Sequence, residues 1–100
     1  MEMKVQIDRH TLERAKERGA TAQQILDVIE TGTPVEARSG RFAKTKLYGY
    51  YGLWKGRYYD QKMIKVIYAL ERITPNVLDN EDVAVTITVI VKYGRWEEPL

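Results

Sequence analysis

One hundred residues leave room for one domain with a modest core, and no apolar run approaches the roughly 18 residues needed to cross a bilayer. Without cysteine there is neither a disulfide nor a thiolate metal site, and Met1–Val5 carries no apolar signal core, so the cytosol is the expected compartment. The net charge of +2 is unevenly spread: residues 36–67 hold eight Lys/Arg against two Asp/Glu while both flanks are net acidic, which places attraction for an anionic partner in the middle third.

Lys4–Ile7 alternates over a span too short to choose between an edge strand and a lead-in. Asp8 then stands where an N-cap would open a helix over 9–18, and Gly19 where a left-handed residue would close it. Leu12 and Ala15 point to the core side of that helix. Thr21-Ala22-Gln23-Gln24 reads as a capping box for a second helix. Ile25, Leu26, Val28 and Ile29 form its buried face, and Gly32 with Pro34 ends it. From there the period changes. Val35–Arg38 reads as a strand, Ser39-Gly40 as a turn, and Lys44–Tyr51 as an aromatic strand interrupted by Gly49 and Gly52. Trp54–Tyr59 is open between a further strand and an excursion.

Met63–Glu71 alternates, with Ile64, Val66, Tyr68 and Leu70 on one face. Residues 74–82 have loop chemistry. Val83–Tyr93 is the strongest strand, with Val83, Val85, Ile87, Val89 and Val91 on one face and Ala84, Thr86, Thr88 and Ile90 on the other. One apolar and one semi-polar face predict a central strand in a sheet that helices cover on one side only. The expected architecture is α+β and a single domain over 1–100. Two N-terminal helices pack on one face of a four- to five-stranded, mainly antiparallel sheet.

Three groups of residues can carry chemistry. His10, Arg14 and Arg18 recur at i, i+4 and i+8 along one helix stripe, with Glu17 beside them. They read either as a solvated face of ion pairs with Glu13 or Glu17, or as a phosphate site with a histidine at its head. The stretch 38–59 is both basic and aromatic. Arg38, Arg41, Lys44, Lys46 and Arg57, with Lys65 beyond, offer charge to phosphates, and Tyr48, Tyr50 and Trp54 offer rings to unpaired bases. The competing reading packs those rings in the core. Last, Thr86 and Thr88 project from the semi-polar face of the final strand. No metal-ligand spacing, P-loop or glycine-rich nucleotide fingerprint is present, so neither metal nor cofactor is expected.

His10, Arg14 and Arg18-Gly19, the capped run Thr21–Ile29 and the ending Thr88-Val89-Ile90-Val91-Lys92-Tyr93-Gly94-Arg95-Trp96 together resemble the family called "domain of unknown function 4258", over roughly Ile7 to Trp96. That family is similar to the RelE/ParE and BrnT-like toxins, so the resemblance implies a RelE-like fold. It also implies metal-independent cleavage of RNA and neutralisation by a cognate antitoxin protein. On this reading His10, Arg14, Arg18, Thr88 and, less directly, Tyr93 are the catalytic set. His10 would move a proton to or from a ribose 2′-OH or a leaving 5′-oxygen. The two arginines and Thr88 would stabilise the charged transition state, leaving a 2′,3′-cyclic phosphate. A single histidine leaves the second proton transfer to Tyr93, Glu17 or Lys65. The alternative is a module that binds RNA or a protein through the 38–59 surface, or uses the open sheet face, without cleavage.

Overall fold

The Asp8 backbone is extended, and its carboxylate accepts the N–H of His10, which starts the first helix, α1, over Arg9–Arg18. The helix stops at Gly19, which has a φ of +84°, and the Ala20 N–H then closes the turn onto the Ala15 carbonyl at 2.8 Å. The second helix, α2, runs over Ala22–Thr31. Both bonds of its capping box are present: the Gln24 N–H donates to Thr21 Oγ1, and the Thr21 N–H donates to Gln24 Oε1, each at 3.1 Å. Such caps are worth about 1 kcal/mol each.

The computed structural model describes residues 4–72 and 82–96. Around the two helices it places five strands: β1 (Lys4–Gln6), β2 (Thr33–Val35), β3 (Phe42–Trp54), β4 (Arg57–Arg72) and β5 (Asp82–Gly94), in the spatial order β1-β5-β4-β3-β2. The β1–β5 pair is parallel and the rest are antiparallel, so the sheet is mixed. The predicted loop over 74–82 lies outside the described residues, except for Asp82, which begins β5.

Several expectations change. The strand after α2 is Thr33–Val35, not 35–38, and residues 36–41 are not a strand. Pro34 is tolerated there because β2 is an edge. The 54–59 segment is neither a separate strand nor an excursion. Lys55 and Gly56, both at positive φ, make a two-residue turn that joins β3 to β4 in one long hairpin. The central strand is β4. Among the described residues, β5 has a neighbour on its outer side only at Val83–Val85, where β1 pairs with it. Thr11, not Leu12, is the fully buried partner of Ala15 on α1, and Leu26 on α2 is only half-buried.

The core lies between the helices and one sheet face. Ile25, Val28 and Ile29 of α2 and Ala15 of α1 pack with Ile64, Val66 and Tyr68 of β4 and Ala84 and Val89 of β5. Each large aliphatic there contributes about 1.5–3 kcal/mol. The β4 alternation is as read from the sequence, but that of β5 is not. Tyr68 pairs with Thr86 and Ile67 with Thr88, so Ile87 is an extra residue, a β-bulge that shifts the phase of the strand. Ala84 and Thr86 therefore face the helices before the bulge, and Val89 after it. Thr88 pairs with Ile67, which alternates with buried Val66 and Tyr68, so Thr88 stands on the open face. Thr86 faces the other way, and its hydroxyl accepts the Asp8 N–H at 2.9 Å at the root of α1.

A Cβ on Gly19 would lie 2.2 Å from Tyr93 Oη and 3.0 Å from the Trp54 ring, in addition to adopting a left-handed φ. Gly19→Ala is expected to lower unfolding stability by about 2–4 kcal/mol. Gly56→Ala, with a φ of +81° but nothing within 4 Å, should cost only the backbone part, about 1–2 kcal/mol. Urea denaturation of the two variants measures the difference, and equal losses would refute tight packing at Gly19.

Candidate nucleic-acid interface

The end of α1 determines the fate of two residues of the expected catalytic set. Tyr93 Oη donates to the Arg18 carbonyl at 2.7 Å, and burial pushes that hydroxyl up to about 12, so it keeps its proton at neutral pH. Its ring stacks on Trp54 with centroids 4.7 Å apart and an interplanar angle of 14°, and meets Tyr50 edge-on at 5.2 Å. The Arg18 guanidinium reaches across to the Val89 carbonyl at 2.5 Å. Arg18, Tyr93, Trp54 and Lys55 do share a small cleft of about 230 Å³, but the guanidinium and the phenol are both committed to backbone carbonyls. His10 is exposed in the first turn of α1, and Arg14 is tied to Glu17 at 3.0 Å, the ion-paired reading of that stripe. Thr88 lies on the opposite side of the sheet from α1. His10, Arg14, Arg18, Thr88 and Tyr93 therefore do not form one site.

The basic aromatic stretch divides as well. Lys44 Nζ donates to the Ile29 carbonyl at 2.6 Å, supplying a cation to the last turn of α2, which has no basic residue of its own. Lys46 Nζ and Tyr48 Oη converge on Asp27 Oδ2 at 2.7 and 2.5 Å, with the Thr31 hydroxyl on the other oxygen. The Lys46 bond, then that of Tyr48, holds the Asp27 carboxyl down to about 2, while burial and then Asp27 push the Tyr48 hydroxyl up. Tyr50 and Trp54 belong to the Tyr93 cluster, and Tyr50 Oη donates to the Leu53 carbonyl. These five residues build the fold rather than offer themselves to a ligand.

Arg38, Arg41 and Lys65 remain, and they come together. The Arg41 N–H donates to the Arg38 carbonyl at 2.9 Å across Ser39-Gly40, and Gly40 has the φ of +81° that a type II turn requires at its third position. The turn brings both arginines to one side, over the open sheet face. There they line a cleft of about 510 Å³ with Lys65, Ile67, Ala37 and Glu36. Among the described residues none of the three cations has an ion-pair partner, so only Glu36 offsets their charge. Thr88 stands beside the cleft, paired with Ile67. Thr45, paired with Lys65, has a buried Oγ1 without a hydrogen-bond partner. Arg57 is exposed near the hairpin turn.

Two residues of this face were not singled out from the sequence. Lys92, paired with Met63, follows from register, which needs the bulge at Ile87. Tyr51 is 71% exposed, and its flanking Gly49 and Gly52 were a signal for a bulge. Among the described residues no cluster of His, Cys, Asp and Glu has metal-binding geometry, and no helix is long and apolar enough to cross a membrane.

Asp27 makes acid sensitivity local. A carboxyl at about 2, against 3.8 when free, adds stability that is present above the free value and lost as the pH falls through 3.8 toward 2. Asp27→Asn is expected to flatten that part of the acid limb in thermal melts taken across the range; an unchanged limb would remove Asp27 from the account.

Comparison with known proteins finds no family model, no curated protein and no solved structure that matches the chain.

Proposed function

We propose that the chain binds RNA through the open face of its sheet and does not use His10 to cleave it. The observation that carries this reading is the cleft in which, among the described residues, Arg38, Arg41 and Lys65 stand without ion-pair partners over a sheet face that no helix covers. Three cations of differing reach suit a chain of phosphates, whose attraction is independent of sequence. The hydroxyl of Thr88 and the ammonium of Lys92 lie on the same face and extend the polar track. The mechanism is electrostatic capture, with release of counterions from the phosphates as each cation engages. His10 is on the far side of the sheet and takes no part.

Fluorescence anisotropy of a labelled single strand across a salt series tests the proposal. If all three cations contact phosphates, the slope of log K against log salt is about −2, and Arg41→Ala or Lys65→Ala reduces its magnitude by about 0.7 each while His10→Ala leaves it unchanged. A slope indifferent to Arg41 and Lys65 would sink the reading. Incubating wild type and His10→Ala with total RNA in EDTA addresses cleavage directly: the RNA is expected to stay intact with both. Fragments ending in cyclic phosphate with wild type alone would restore the ribonuclease that the family resemblance implies.

A further inference from the structure

The bulge in β3 places two residues, Tyr50 and Tyr51, opposite Asp60 alone, since Gly49 pairs with Gln61 and Gly52 with Tyr59. Tyr50 turns inward to Tyr93. Tyr51 takes a φ of +48°, a left-handed backbone that a bulky side chain rarely adopts, and the strain is retained at an exposed position. Its ring lies against Gly49: a Cβ on that glycine would come within 2.7 Å of Tyr51 Cε2, so only glycine leaves room for the ring there. Gly49 is six pairs along from Ala43, whose partner Ile67 is on the open face, and by that even spacing belongs to the same face. The ring thus meets Gly49 through its Cε2 edge and leaves its faces open to solvent, on the same face as the cationic cleft. From Gly49 to Thr45, the partner of Lys65, is four residues along β3, about 13 Å, a span of a few nucleotides.

We infer that Tyr51 is a stacking platform for an unpaired base, so that the ligand of this face is single-stranded RNA with a base on Tyr51 and phosphates a few nucleotides along at Lys65, Arg38 and Arg41. A duplex keeps its bases stacked on one another and has no free π-face to offer. This rests on the RNA-binding reading above.

The test uses a short single strand carrying 2-aminopurine, and the same strand annealed to its complement. Wild type should bind the single strand at least about tenfold more tightly than the duplex, with a change in 2-aminopurine fluorescence that reports stacking. Tyr51→Gly accepts the left-handed backbone, so loss of folding does not confound it. It should weaken binding about tenfold and abolish the fluorescence change while leaving the salt slope as in wild type. Tyr51→Phe should restore both. Equal affinity for strand and duplex, or wild-type binding by Tyr51→Gly, overturns the platform while leaving an Arg41-dependent salt slope intact. Absence of binding to either RNA overturns the platform and the RNA reading together.

Discussion

The carbonyl groups at the C-terminal ends of the two helices are the points to which the sheet is fastened. A helix leaves its last carbonyls without intrahelical partners and with a partial negative charge. At the end of α1, Tyr93 takes the Arg18 carbonyl and Lys62 Nζ takes that of Gly19 at 2.7 Å. At the end of α2, Lys44 takes the carbonyl of Ile29. Lys62 is 7% exposed, and burial lowers its ammonium pKa, yet its charge lies where a helix dipole favours a cation. Each bond joins residues far apart in sequence, so the helix ends are satisfied only when β3, β4 and β5 are in place. The aromatic group around Tyr93 then closes over Gly19, and the left-handed glycine serves both the chain reversal and the approach of the rings.

That demand sorts the positive charge of the middle third. Lys44, Lys46 and Lys62 are on strand positions that face the helices, and they are taken up by carbonyls or by Asp27. Lys65, three residues beyond Lys62 on β4, and Arg38 and Arg41, at the turn before β3, face the other way and have no ion-pair partner among the described residues, with Glu36 the one carboxylate in their cleft. Alternation along a strand thus divides one run of basic residues into a structural set and an available set. The fold leaves Arg38, Arg41 and Lys65 together because the type II turn and the β3–β4 register bring them to one place.

The helices were legible because their signals are local. Asp8, Thr21, Gln24 and Gly19 act within a few residues of where they stand, and each does what its position predicts. The β4 alternation was legible for the same reason. What was not legible depends on pairing between distant segments. Nothing near Ile87 marks it as an extra residue, so Thr86 and Thr88 read as neighbours on one face when the bulge sends them to opposite faces. The stripe of His10, Arg14 and Arg18 was correct as helix geometry, but its use was not visible, because Arg18 is directed by a carbonyl on β5 and Tyr93 by a carbonyl on α1. The cationic turn was half legible: Ser39-Gly40 announced it, and Lys65 joined it only through register.

The Arg18 contact also bears on how the molecule keeps to itself. Past Val85 the outer rim of β5 has no strand beside it among the described residues, and its row of amide and carbonyl groups, carried on a run of threonine, isoleucine and valine up to Lys92, is a template to which an unfolded or neighbouring chain can add. A guanidinium seated on the Val89 carbonyl occupies one acceptor of β5 and brings a charge to that strand. The same arginine that a phosphate site would have claimed thus holds the end of α1 to β5 and leaves a charge beside that rim.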